Sequence, residues 1–103
     1  MTPSARVAAA IEILADILSG TPPEPALSQW ARSHRFAGSG DRAAIRDHVF
    51  DALRCQRSFA ALGGALTGRG LMIGALRAQG LDPAEVFTGE RYAPDRLSAA
   101  EQA

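Results

Sequence analysis

The chain has 103 residues, 47% of them apolar and 21% charged. That is enough for one small domain with a packed core, too little for a two-domain enzyme, and too apolar for a disordered tail. Net charge is zero and every basic residue is Arg, but the balance is uneven: −2 over residues 1–27, +5 over 28–77 and −3 over 78–103.

Thr2-Pro3 places a capping hydroxyl before a proline at the first position of a helix. Val7, Ala10, Ile11, Leu14, Ile17 and Leu18 then recur at helical spacing, and Ser19-Gly20-Thr21-Pro22-Pro23 stops the run. A shorter helix is expected over 24–34, with Leu27, Trp30 and Ala31 as its buried stripe. Phe36 to Gly40 reads as a turn, and Ser39 or Asp41 can accept from the free amides of a third helix over 41–56. In that helix Ile45, Val49, Ala52 and Leu53 share one arc of roughly 100°, the width of a core-facing stripe. At 100° per residue, Arg42, Arg46, Phe50, Arg54 and Arg57 fall on a neighbouring arc of roughly 120°. The positive end of the helix dipole beside Arg42 favours an anion there.

Helix is expected to continue through Phe59, Ala60 and Leu62, with Gly63-Gly64 inviting a bend. Thr67-Gly68-Arg69-Gly70 reads as a break before a short helix carrying Leu71, Met72, Ala75 and Leu76 and closed by Gly80. Asp82-Pro83-Ala84-Glu85 is a start signal for a helix that holds Val86 and Phe87 and ends near Gly89. Residues 90–103 read as an exposed connector. Ser98-Ala-Ala-Glu101 is a further capping box with almost no helix behind it, which points to a chain cut from something longer. No segment alternates with period two, so the expected fold is an all-α bundle of five or six helices, with a domain over 1–89 followed by the connector and the start of a truncated helix.

Catalytic signatures do not emerge. Gly68, Gly70 and Gly74 follow no strand, as a nucleotide-binding loop requires, and are better explained as helix termini. A phosphate loop needs a lysine, and the chain has none. His34 and His48, fourteen apart with Cys55 as the lone cysteine, lack metal-ligand spacing, and one cysteine excludes an internal disulfide. There is no Gly-x-Ser-x-Gly elbow. The longest apolar window, Val7 to Leu18, is interrupted by Glu12 and Asp16, and nothing resembles a secretion signal. The expected compartment is the cytoplasm, with no membrane, metal or cofactor partner for this chain.

What remains is a basic surface of Arg42, Arg46, Arg54 and Arg57, joined by Arg32 and Arg35 from the preceding helix and turn. Guanidinium groups bind phosphate oxygens in pairs and stack on bases, and Phe50 offers a ring to an unpaired base. The competing reading is a solvated helix face in which Arg42, Arg46 and Arg54 pair with Asp41, Asp47, Asp51 and the acidic ends of the chain. A third is a protein-interaction module, which requires an exposed apolar patch around Trp30, Phe36 or Phe59.

The run from His34 to Arg54, with Asp41-Arg42 opening a helix and Val49, Leu53 and Arg54 at fixed spacing behind it, resembles the amino-terminal domain of the Sun/Nop2-type ribosomal RNA cytosine-5 methyltransferases. That domain is similar to the transcription antitermination factor NusB. Leu76-Arg77-Ala78-Gln79-Gly80-Leu81-Asp82-Pro83 adds to the likeness, which extends over residues 4–101. The resemblance implies a NusB-like bundle with an abbreviated second half, acting as the RNA-engaging front end of a larger enzyme. The S-adenosylmethionine site and the catalytic cysteines would belong to a carboxy-terminal domain absent from these residues. Cys55 matches neither cysteine motif, so no catalytic role carries to it. A free-standing antitermination factor is the weaker form of the same likeness.

Overall fold

A computed structural model describes residues 1–102. The described residues form six α-helices and one 3-10 turn, with no strand: α1 Pro3–Leu18, α2 Pro23–Ser33, α3 Ser39–Arg54, α4 Gln56–Gly63, α5 Gly68–Ala78, the 3-10 turn Pro83–Glu85, and α6 Ala99–Gln102. The all-α expectation holds. The Thr2 hydroxyl accepts from the Ala5 amide at 3.1 Å and starts α1 as its sequence requires. Both α1 and α2 lie within a residue of their expected bounds.

α5 is the centre of the molecule. Every residue from Leu71 to Leu76 is buried, so the middle of the helix has no polar face, the pattern of a segment surrounded by others. Around it pack Val7, Ala10, Ile13 and Leu14 of α1, Ile45, Val49 and Ala52 of α3, Phe59 of α4, and Phe87 beyond the 3-10 turn. Full burial of a Leu, Ile or Phe side chain stabilises by about 1.5–3 kcal/mol, so α5 carries a disproportionate share of the core. Ile13 is buried although the expected α1 stripe omitted it, and in α2 Ala26 is buried beside Trp30 while Leu27 and Ala31 are half-covered.

Three expectations are corrected. The Thr67–Gly70 stretch is no break: the Thr67 hydroxyl accepts from the Gly70 amide at 2.9 Å and caps α5, which begins at Gly68. Gly68 is the first residue of α5, as a helix terminus should be, whereas Gly70 and Gly74 are helix interior. α4 and α5 are bent by 91° to one another, and a Cβ on Gly74 would stand 1.9 Å from the Phe59 carbonyl oxygen, one on Gly70 2.2 Å from that of Ala65. Residues four apart share a helix face, so Gly74 lets α4, and Gly70 the turn at Ala65, lie directly on the α5 backbone. Secondly, the Asp82 start signal opens only the 3-10 turn, with Asp82 accepting from the Ala84 amide at 3.0 Å. Phe87 then turns inward and is buried. Thirdly, α3 runs from Ser39 to Arg54 rather than over 41–56, with Gly38 at its cap and Asp41, not Ser39, accepting from the Gly38 amide, and Cys55 separates it from α4.

Residues 90–102 are exposed over much of their length, as a connector would be, yet they are tied down. Arg69 of α5 donates from Nε to Glu101 Oε2 at 2.7 Å, from Nη2 to Glu101 Oε1 at 2.9 Å, and from Nη2 to the carbonyls of Asp95 and Arg96, each at 2.9 Å. Its guanidinium also lies 4.8 Å from the Phe87 ring centroid. At the other end of α5, Arg77 donates to the Leu62 carbonyl at 2.7 Å and to the Glu101 carbonyl. The Ser98 box closes in both directions, Ser98 N to Glu101 Oε1 at 2.8 Å and Glu101 N to Ser98 Oγ at 3.2 Å. It starts the one-turn α6 that these arginines hold.

Candidate nucleic-acid interface

The expected basic surface is divided by the structure. Arg46 projects from α3 to α2, where both of its terminal nitrogens reach the Glu24 carboxylate, Nη1 to Oε2 at 3.2 Å. This hydrogen bonding holds the Glu24 carboxyl below its ordinary pKa. Arg54 pairs with Asp51 one turn back on its own helix. Both pairs stand in solvent, with side chains about half or more exposed, where ion pairs contribute little and exchange readily. Arg32, Arg35, Arg42 and Arg57 are exposed and make no ion pair among the described residues. The competing solvated-face reading is therefore right for Arg46 and Arg54 but not for Arg42.

Two further details change. Arg57 stands on α4, beyond the Cys55 junction, so its angular phase does not carry over from Arg42. Phe50 is half-buried and bears the Arg46 guanidinium 4.9 Å from its ring centroid, so one face of that ring is already covered. The anion expected at the start of α3 is supplied from within the chain. Asp41 accepts from the Gly38 amide at 3.2 Å and from Arg6 of α1 at 2.9 and 2.8 Å. Arg6 first, and then the Gly38 amide, lower its pKa. This contact joins α1 to α3 and occupies the free amide end that an external phosphate would use.

The histidines play separate structural parts. His34 closes α2 with Nδ1 2.8 Å from the Trp30 carbonyl oxygen, and its ring stacks on the indole at 4.2 Å with a 5° tilt. His48 is half-buried on α3, and burial lowers its pKa. No group of three metal-ligating side chains exists among the described residues, and no single helix is long and apolar enough to cross a membrane.

Sequence reasoning missed a second feature. A groove of about 490 Å³ lies between α1, the end of α2 and residues 91–92, lined among others by Glu12, Trp30, His34, Phe36, Arg91 and Tyr92. Phe36 and Tyr92 are 72% and 67% exposed, whereas Trp30 and Phe59, the other aromatics considered for an interaction patch, are buried. Phe36 meets the His34 ring edge-on at 5.8 Å. The Trp30 indole nitrogen is buried without a hydrogen-bond partner. No spacing rule connects Phe36 with Tyr92, fifty-six positions away, so only the fold brings them to one groove.

Compared with protein-family models, with curated proteins and with solved structures, the chain matches none.

Proposed function

We propose that this chain is a NusB-like helical RNA-binding accessory domain of an S-adenosylmethionine-dependent ribosomal RNA cytosine-5 methyltransferase, which positions RNA for a catalytic domain outside these residues. The family assignment rests on the resemblance of residues 34–54. The observation that supports RNA binding is that Arg32, Arg35, Arg42 and Arg57 stand in solvent with no carboxylate partner among the described residues, although the chain as a whole is neutral. They lie on or beside the ends of α2, α3 and α4, with Arg46 and Arg54 held nearby in pairs that a phosphate can displace. Contacts of this kind give affinity and orientation more than choice of sequence.

The test is a titration of single-stranded RNA at a series of salt concentrations. Each lost phosphate contact lowers the slope of log K against log salt by about 0.7. Arg42→Ala and Arg57→Ala are each expected to weaken binding and flatten that slope by one such step, while methyl transfer by a longer parent enzyme becomes less efficient at limiting RNA. Binding that is absent, or indifferent to salt, removes the proposal. A protein-interaction module is the second reading, favoured by the exposed Phe36 and Tyr92 rings; it predicts that neither arginine matters.

A further inference from the structure

We infer that the groove between α1, the end of α2 and residues 91–92 is a stacking site for one unpaired nucleobase of single-stranded RNA. The inference rests on the RNA-binding reading and deepens it, because the arginine surface offers charge but no open ring. Three of the chain's six Phe, Trp and Tyr residues line this one groove. Trp30 and His34 already form a parallel stack within its wall, with Phe36 set against the stack by its edge, so the floor is rigid. The rings at the rim, Phe36 and Tyr92, are left in water.

Tyr92 is displayed under strain. It is the one non-glycine among the described residues with positive φ, at 68°, a conformation that costs a residue with a Cβ about 1–2 kcal/mol. Arg91 lies over its ring at 4.8 Å, and two-thirds of the side chain remains accessible for a base to complete the sandwich.

Charge distinguishes a nucleotide from an apolar peptide as the occupant. Arg91 lines the groove, Arg35 sits between His34 and Phe36 in the chain, and Arg32 is on the last turn of α2. None of the three makes an ion pair among the described residues. A base stacked in the groove would thus have its phosphates beside the unpaired Arg91 guanidinium, the one arginine on the lining. Glu12 is the one acid on the wall, an acceptor suited to the exocyclic amine of cytosine or another amino-bearing base. A volume of about 490 Å³ is of the size that holds one small ligand.

The experiment titrates the 103-residue chain with a short cytidine oligoribonucleotide and with an abasic strand of equal charge, following the fluorescence of Trp30, the only tryptophan. The wild type should bind the cytidine strand more tightly and change its emission on binding. Base–aromatic stacking is lost on alanine substitution, so Phe36→Ala and Tyr92→Ala should each weaken the cytidine complex about 5- to 30-fold and leave the abasic complex unchanged. Both side chains are exposed, so neither change disturbs the core. If both variants bind the cytidine strand as wild type does, while Arg42→Ala still weakens it, the stacking site is overturned and the basic surface stands. Equal losses on the abasic strand also overturn it, since the rings would then act without a base. If the wild-type chain binds neither strand, both readings fall.

Discussion

Glu24 and Arg46 are twenty-two residues apart, and their pairing shows where a helical wheel stops being informative. The wheel correctly put Arg42, Arg46, Phe50 and Arg54 on one side of α3, because phase within a helix is local. It carried no information about α2, which delivers Glu24 to the Arg46 guanidinium. Asp51 and Arg54, three apart, were the kind of pair that spacing alone does reveal. A consequence follows for RNA binding. Glu24 competes with phosphate for Arg46, so Glu24→Gln should release that guanidinium, raise affinity for single-stranded RNA about 2- to 3-fold and steepen the salt slope by about 0.7. Thermal stability should hardly change, because the pair is exposed on both sides. The same titrations used for Arg42 and Arg57 measure this, and an affinity that falls in Glu24→Gln contradicts a phosphate-facing Arg46.

The joint between α4 and α5 was legible only in part. Gly63-Gly64 marked a bend correctly, with Gly64 at φ 85° closing α4 in the left-handed region that favours glycine. Gly68 does open α5, but Gly70 and Gly74 misled, since glycine signals both a helix end and a close approach of two backbones, and only the neighbouring element decides between them. The Asp82 capping box misled for a related reason. It satisfies the first amides of a turn, but extending an exposed short helix gains less than burying Phe87 beneath Arg69. Gly74→Ala and Gly40→Ala separate packing from helix propensity. Alanine in place of glycine favours a helix by up to about 1 kcal/mol. At Gly40, where a Cβ meets nothing within 4 Å, the change should be neutral or stabilise by about 0.5–1 kcal/mol. At Gly74 the Cβ would stand 1.9 Å from the Phe59 carbonyl oxygen, backbone that cannot turn aside, and overpacking should prevail with a net loss of about 2–3 kcal/mol. Chemical denaturation of the two variants reads both signs. Equal stabilisation of the two would mean that α4 does not rest on the α5 backbone.

Closure of the whole molecule depends on a contact that spans thirty-two residues. Ser98 and Glu101 identified a helix start from sequence, but not that the same carboxylate would serve Arg69 of the central helix. One side chain therefore caps α6, receives two guanidinium hydrogen bonds, and fixes residues 90–102 across the α5 end of the bundle. The Arg69 hydrogen bonds, helped by the Ser98 amide, lower the Glu101 pKa from 4.5 to about 2. The folded state then binds fewer protons than the unfolded state between these two values, so the contribution of Glu101 is fully present above pH 4.5 and declines as pH falls toward 2. With the carboxylate 23% exposed, screening reduces its worth to about 1–2 kcal/mol at neutral pH. Glu101→Gln should lower unfolding free energy by that amount at pH 7, with the gap to wild type narrowing steadily below pH 4.5. Urea unfolding at pH 7, 5, 4 and 3 measures it. A gap that stays constant down to pH 3 would assign the loss to packing rather than to the ion pair. Because Arg91 and Tyr92 belong to the segment this contact anchors, Glu101→Gln should also loosen the rim of the groove, and RNA affinity should fall together with stability rather than independently of it.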